Sequence, residues 1–95
     1  MKIRDLKIGL GKVNIKAKVV KVEEEKVFVR DNKECKVANA VIRDNTGEFI
    51  LTLWNEEVSK VKAGIKIKIE NGYVNEFQGE PRLSAGKFGK LEIVK

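Results

Sequence analysis

Apolar residues recur at every second position through most of this chain. Val13, Ile15, Ala17 and Val19 alternate with Asn14, Lys16 and Lys18. Successive side chains of a strand point to opposite faces, so this pattern predicts a strand with one buried and one wet face. The apolar phase then slips to Val20 and Val22. A slip inside one long strand predicts a bulge or a sharp bend. Small barrels need such a bend where one strand serves both halves of the wall. Glu23 to Glu34 is a charged segment broken by Val27, Phe28 and Val29. It reads as a long hairpin connection with extended arms.

Val37 to Arg43 forms a second strand, followed by an Asp44-Asn45-Thr46-Gly47 turn. Asx and Gly residues supply the tight geometry there. Glu48 to Trp54 is the third strand, with Phe49, Leu51 and Leu53 on one side and Ile50, Thr52 and Trp54 on the other. Asn55 is placed to cap a short helix, with Glu56 and Glu57 in its first turn and Val58 and Val61 on its apolar face. After Gly64, the residues Ile65, Ile67 and Ile69 face the core of a fourth strand, and Lys66 and Lys68 face out. The phase changes again at Asn71-Gly72, predicting a second bulge. Beyond it Tyr73, Asn75 and Phe77 share the outer face and Val74 turns inward. Gln78-Gly79 makes a turn, and Arg82 to Ala85 begins a fifth strand. A glycine-flanked bend, Gly86 to Gly89, leads to Leu91, Ile93 and Val94, which close the wall. The expected fold is therefore all-β: one domain, residues 1–95, forming a five-stranded OB-fold barrel with a short helix between strands 3 and 4.

Charge and composition narrow the function. The chain of 95 residues carries 20 Lys and Arg against 14 Asp and Glu, a net charge of +6. That surplus favours a polyanionic partner. A solvated, heat-adapted surface rich in Lys and Glu explains it equally well. Histidine is absent and Cys35 is the single cysteine. An intrachain disulfide, a cysteine-based zinc site and a Ser–His pair are all excluded. No phosphate-cradling glycine loop occurs. An enzyme is not expected, nor is a cofactor or a resident metal. No run approaches the roughly 20 apolar residues needed to span a bilayer, and no signal peptide is visible. The expected location is the cytoplasm, in association with the nucleoid.

Trp54, Tyr73 and Phe77 all fall on solvent-side positions of strands. Large exposed rings cost solubility, so three on one outer surface point to a use. Flat rings in a groove stack on unpaired bases of any identity, at about 1–3 kcal/mol per base. The competing reading is that they fill the core, as aromatic residues usually do. Phe49 lies on the core phase. Phe28 either packs within the long hairpin or clamps a further base. Phe88, among glycines, is placed to cap the barrel end. The cations nearest these rings in the pattern are Lys16, Lys18, Lys33, Lys36, Arg82 and Lys87. They are candidates for phosphate contacts, which confer no sequence choice. Arg82 can both stack and bind phosphate. Thr52 and Asn75 are candidates for base-edge hydrogen bonds.

The run Ile42-Arg43-Asp44-Asn45-Thr46-Gly47-Glu48-Phe49-Ile50-Leu51-Thr52-Leu53-Trp54 resembles the V-x-D-x-T-G-x-I-x-x-T-L-W core of archaeal single-stranded-DNA-binding proteins and replication protein A-type OB domains. The segment KIENGYVNEFQGE, with its GY-x-x-x-F-x-G spacing, is similar to that family's fourth strand and following turn. The resemblance extends from about Ile3 to Ile93. It implies single-stranded DNA binding in replication, recombination or repair, with Trp54, Tyr73 and Phe77 as the stacking rings. Some relatives place a further aromatic residue on the fifth strand, where this chain has Ser84. Other OB domains or replication and repair proteins are the partners it implies. Fold does not fix ligand, so an RNA- or tRNA-binding domain and a protein-docking domain are the alternatives.

Overall fold

The computed structural model describes residues 1–85 and 89–94. Its strands are β1 (Val13–Val22), β2 (Lys26–Arg30), β3 (Lys33–Asp44), β4 (Gly47–Trp54), β5 (Lys66–Phe77), β6 (Glu80–Ser84) and β7 (Lys90–Val94), with the helix α1 (Glu56–Lys60) between β4 and β5. The five expected strands thus occur as seven segments. The long first connection folds as its own hairpin arm, β2 against the start of β3, from Lys26↔Val37 to Arg30↔Lys33. Its tip is the two-residue turn Asp31-Asn32, both at positive φ (52° and 62°). Such turns match the right-handed twist of the strands they join. The fifth strand is divided into β6 and β7, both antiparallel to β5.

The sheet closes on itself. Its order is β1-β3-β4-β6-β5, and β5 returns to β1. The parallel β4–β6 contact, Leu51↔Leu83 and Thr52↔Ser84, completes the ring. Both bulges fall where the apolar phase slips. Between Val19↔Ile42 and Lys21↔Val41, β1 carries one residue more than β3. Between Val13↔Gly72 and Ile15↔Ile69, β5 carries one more than β1. Asn71, at φ 54°, sits in that second bulge, and its N–H donates to Asn14 Oδ1 at 3.1 Å.

Inside the ring lie Val13, Ile15, Ala17, Val19, Ala40, Ile42, Leu51, Leu53, Ile67, Ile69, Val74 and Leu83. The buried hydrophobic residues among those described are all aliphatic. Phe49 and Leu91 pack against this core half-buried. Ile93, expected to close the wall, pairs with Ile67 but stays exposed. The bend expected at Gly86 to Gly89 and the Phe88 cap lie largely outside the described residues, which include Gly89 alone. No described helix is long and apolar enough to cross a membrane.

Two local features hold the ring's ends. The Asp44 carboxylate accepts the Ile3 N–H (2.8 Å), the Thr46 N–H (2.6 Å) and the Thr46 hydroxyl. It ties the 3-10 turn Ile3–Asp5 to the β3–β4 turn, and so seats Ile3 and Leu6 in the core. Asn55 behaves differently from its expected role. Its side chain makes no cap bond. Asn55 Oδ1 instead accepts the Lys36 N–H (3.1 Å), while its own N–H donates to the Lys36 carbonyl (2.9 Å). A neighbouring strand with unmet backbone groups outcompetes the local cap.

Two predictions follow from these contacts. A Cβ on Gly72 would sit 2.8 Å from Ile69 Cγ2 and 3.0 Å from the Ser84 carbonyl oxygen. Gly72→Ala should therefore cost about 1–3 kcal/mol, the usual range for overpacking, in urea unfolding. Burial pushes the Asp44 carboxyl up, but hydrogen bonds from Thr46, Ile3 and Gly47 outweigh it and hold it at about 2, against an ordinary 3.8. A depressed folded pKa adds stability above the unfolded value and loses it as the pH falls toward the folded one. Asp44→Ala should lower stability on the order of 1 kcal/mol at neutral pH. In thermal melts the gap to the parent protein should close as the pH falls from about 4 to about 2.

Candidate nucleic-acid interface

Each candidate ring is placed by a specific local device. Trp54 ends β4, where alternation carries it outward after the buried Leu53. Its N–H donates to Glu57 Oε1 at 3.0 Å, so α1 fixes the strand end. Burial raises the Glu57 carboxyl, opposed by the Trp54 N–H and by Lys60. Tyr73 follows Gly72 directly after the β5 bulge, on the phase opposite the buried Val74. Phe77 is the last residue of β5, before the Gln78-Gly79 turn, where φ is 52° and 82°. Trp54 is 37% exposed, Tyr73 38% and Phe77 52%. None of them fills the core.

The three rings line one groove of about 560 Å³. Its floor is a polar strip set by the sheet register. Asn39 pairs with Thr52, Thr52 with Ser84, Ser84 with Tyr73, and Arg82 with Asn75. The Arg82 guanidinium lies 4.5 Å from the Phe77 ring centroid. Its Nη1 donates to Asn39 Oδ1 at 3.4 Å, and Nη2 stands 3.9 Å from Glu80. The Thr52 hydroxyl reaches the same Asn39 oxygen at 3.5 Å. These are long, weak bonds that a ligand can replace.

A second hollow of about 670 Å³ adjoins the groove and shares Trp54 and Tyr73 with it. Phe28 and Arg30 of β2 and Cys35 of β3 form its other side. Phe28 meets Trp54 edge to face, with ring centroids 6.2 Å apart. The hairpin arm thus extends the aromatic surface, and Phe28 does pack, against a groove ring rather than the core.

The polar candidates divide. Thr52, Asn75 and Arg82 line the groove. Lys16 and Lys18 do not. Lys16 stands opposite Lys68, and Lys18 opposite Lys66 and Arg43, on the outer face of β1 and the first half of β5. Period-2 alternation places their side chains outside, but says nothing about which outside face. Lys33 lies at the arm tip, on the same strand face as Cys35 and Val37. Lys36 is on the opposite face, paired with Val27. Lys87 lies outside the described residues. The groove also has members that the sequence pattern did not single out: Asn39, Lys26, Glu24 and Glu76. Asn39 was legible only as an outward residue of β3, and its value comes from partners 13 and 43 positions away. Lys26, Arg82, Glu24 and Glu76 all line the groove, so its own formal charges balance.

A family model, described as single-stranded DNA binding protein Ssb-like, OB fold, matches residues 6–93. The chain belongs to this Ssb-like OB-fold family. The match includes every groove residue named above. The single-stranded DNA binding protein Ssb of Saccharolobus solfataricus is 31% identical over 90 residues, which cover 95% of this chain and 61% of that protein. The Ssb-like chain thus spans less than two thirds of that curated relative. The second OB-fold domain of replication protein A from Methanococcus maripaludis superposes with a TM-score of 0.78 at 28% identity, covering 100% of this chain and 94% of that one. The OB domain of Ta0387 from Thermoplasma acidophilum superposes with a TM-score of 0.84 at 23% identity, covering 99% and 85%. That likeness concerns the fold.

Proposed function

We propose that this Ssb-like domain binds single-stranded DNA with little base preference, by stacking bases on Trp54, Tyr73 and Phe77. The observation that carries the reading is the exposure of all three rings in one groove above an entirely aliphatic described core. A ring left partly exposed forgoes part of the roughly 1.5–3 kcal/mol that full burial is worth, and three such rings in one groove favour a ligand that covers them. Bases supply it, because each has a π-face. A duplex hides those faces and should bind poorly. Family membership and the named relative agree with this ligand. Phe28, beside Trp54, offers a further stacking surface along the arm. Lys26 lines the groove and Arg30 the adjoining hollow, and these are the sources of phosphate contacts nearest the rings; Lys16, Lys18, Lys33 and Lys36 line neither. Replication, recombination or repair is the setting this activity fits, with other OB domains or repair proteins as further partners.

The lone Trp54 is a built-in reporter. Titration with oligo-dT should quench its emission, and duplex should compete weakly. Trp54→Ala, followed by anisotropy of a labelled oligonucleotide, should weaken binding by about 1–3 kcal/mol. Because the groove's own charges nearly cancel, the log–log salt slope should be shallow, about 1.4 for two phosphates at ~0.7 each. Unchanged affinity in Trp54→Ala would remove the stacking groove from the account. Equal or tighter binding of poly-U would redirect the assignment to RNA.

A further inference from the structure

Arg82 is usually the kind of residue assigned to phosphate, but its setting here is a groove floor rather than a rim. Its side chain is 22% exposed, and its Nε is buried without a hydrogen-bond partner. A buried donor left unpaired is costly, which sets this arginine apart from the solvated cations of the surface. The guanidinium rests against the Phe77 ring on one side and makes a long contact, 3.4 Å, to Asn39 Oδ1 on another. Its cross-strand partner is Asn75, which places Arg82 between the rows of Tyr73 and Phe77. Those two rings are four strand positions apart, ~13 Å along β5. A base stacked on Tyr73 would lie beside the Asn39–Thr52–Ser84 strip, two residues along β6 from Arg82.

We propose that Arg82, steadied by Asn39, reads the edge of the base stacked on Tyr73 and favours keto bases over adenine at that one position. The inference rests on the single-stranded DNA reading above. Arginine carries donors only. Thymine and guanine present carbonyl oxygens to it, and guanine adds N7. Adenine has no carbonyl oxygen; its acceptors are ring nitrogens, and the N6 amino group that stands beside N1 and N7 sets a donor against the guanidinium's donors. The domain as a whole stays tolerant of sequence, because the other rings meet bases by their faces alone.

The test uses the shortest thymine oligonucleotide that keeps full affinity, so that the strand cannot shift register. Adenine then replaces thymine at each position in turn, and binding is followed by anisotropy. One position should lose about five- to tenfold, the low end for a single base-edge contact, and the others less than twofold. The penalty should vanish in Arg82→Met, and shrink in Asn39→Ala, where Arg82 loses its steadying acceptor but keeps its charge. Uniform tolerance of adenine at every position, or a penalty that persists in Arg82→Met, overturns the proposal while leaving the stacking groove standing. A failure of the parent protein to bind the thymine strand at all overturns both.

Discussion

Two parallel residue pairs, Leu51↔Leu83 and Thr52↔Ser84, carry the architecture. They join β4 to β6 and convert an open antiparallel sheet into a ring. Parallel neighbours need a long crossover, and here α1 and β5 supply it. The inward members, Leu51 and Leu83, are fully buried. The outward members, Thr52 and Ser84, line the groove. One contact therefore closes the core and, on its other face, brings Trp54 of β4 alongside Tyr73 and Phe77 of β5. Without it the rings would lie on separate limbs of the sheet.

The molecule separates two kinds of apolar surface. Branched aliphatic side chains of moderate size fill the narrow interior, and the flat rings are left outside on the groove wall. Charge is separated as well. The directly opposed lysine pairs Lys16↔Lys68 and Lys18↔Lys66 lie on another face, where Lys68 is partly compensated by Glu70 at 2.8 Å. The groove itself holds two acids against two bases. On the proposed reading, the net charge of the chain would draw a polyanion in from a distance, and short-range stacking would decide what is held.

Much of this was legible from period-2 alternation. The buried phase of β1 up to Val19, of β4 and of β5, the two bulges, the short helix and the outward rings follow from local patterning, because a one-residue slip moves every side chain to the other face; Val20 and Ile93, expected on the apolar phase, are exposed. Alternation says in or out and no more. It could not tell that Lys16 and Lys18 lie outside the groove lining, since both outer surfaces read alike. The hairpin arm was blurred by its charges, although Asp31-Asn32 is a turn pair that tolerates positive φ. Asn55 was misread because its strongest partner, Lys36, lies 19 residues away. Asn39 and the orphaned Nε of Arg82 acquire meaning only when β3, β4 and β6 are brought together, which no local pattern encodes.

The central claim is that bases lie on the faces of Trp54, Tyr73 and Phe77. Aromatic proton–carbon NMR of the protein, with oligo-dT added stepwise, tests it most directly. Upfield ring-current shifts are expected at all three residues, with the lysines of the β1–β5 face barely moved. Undisturbed rings alongside large changes at Lys16, Lys18, Lys66 and Lys68 would contradict it, and would make this domain a charged surface rather than a stacking groove.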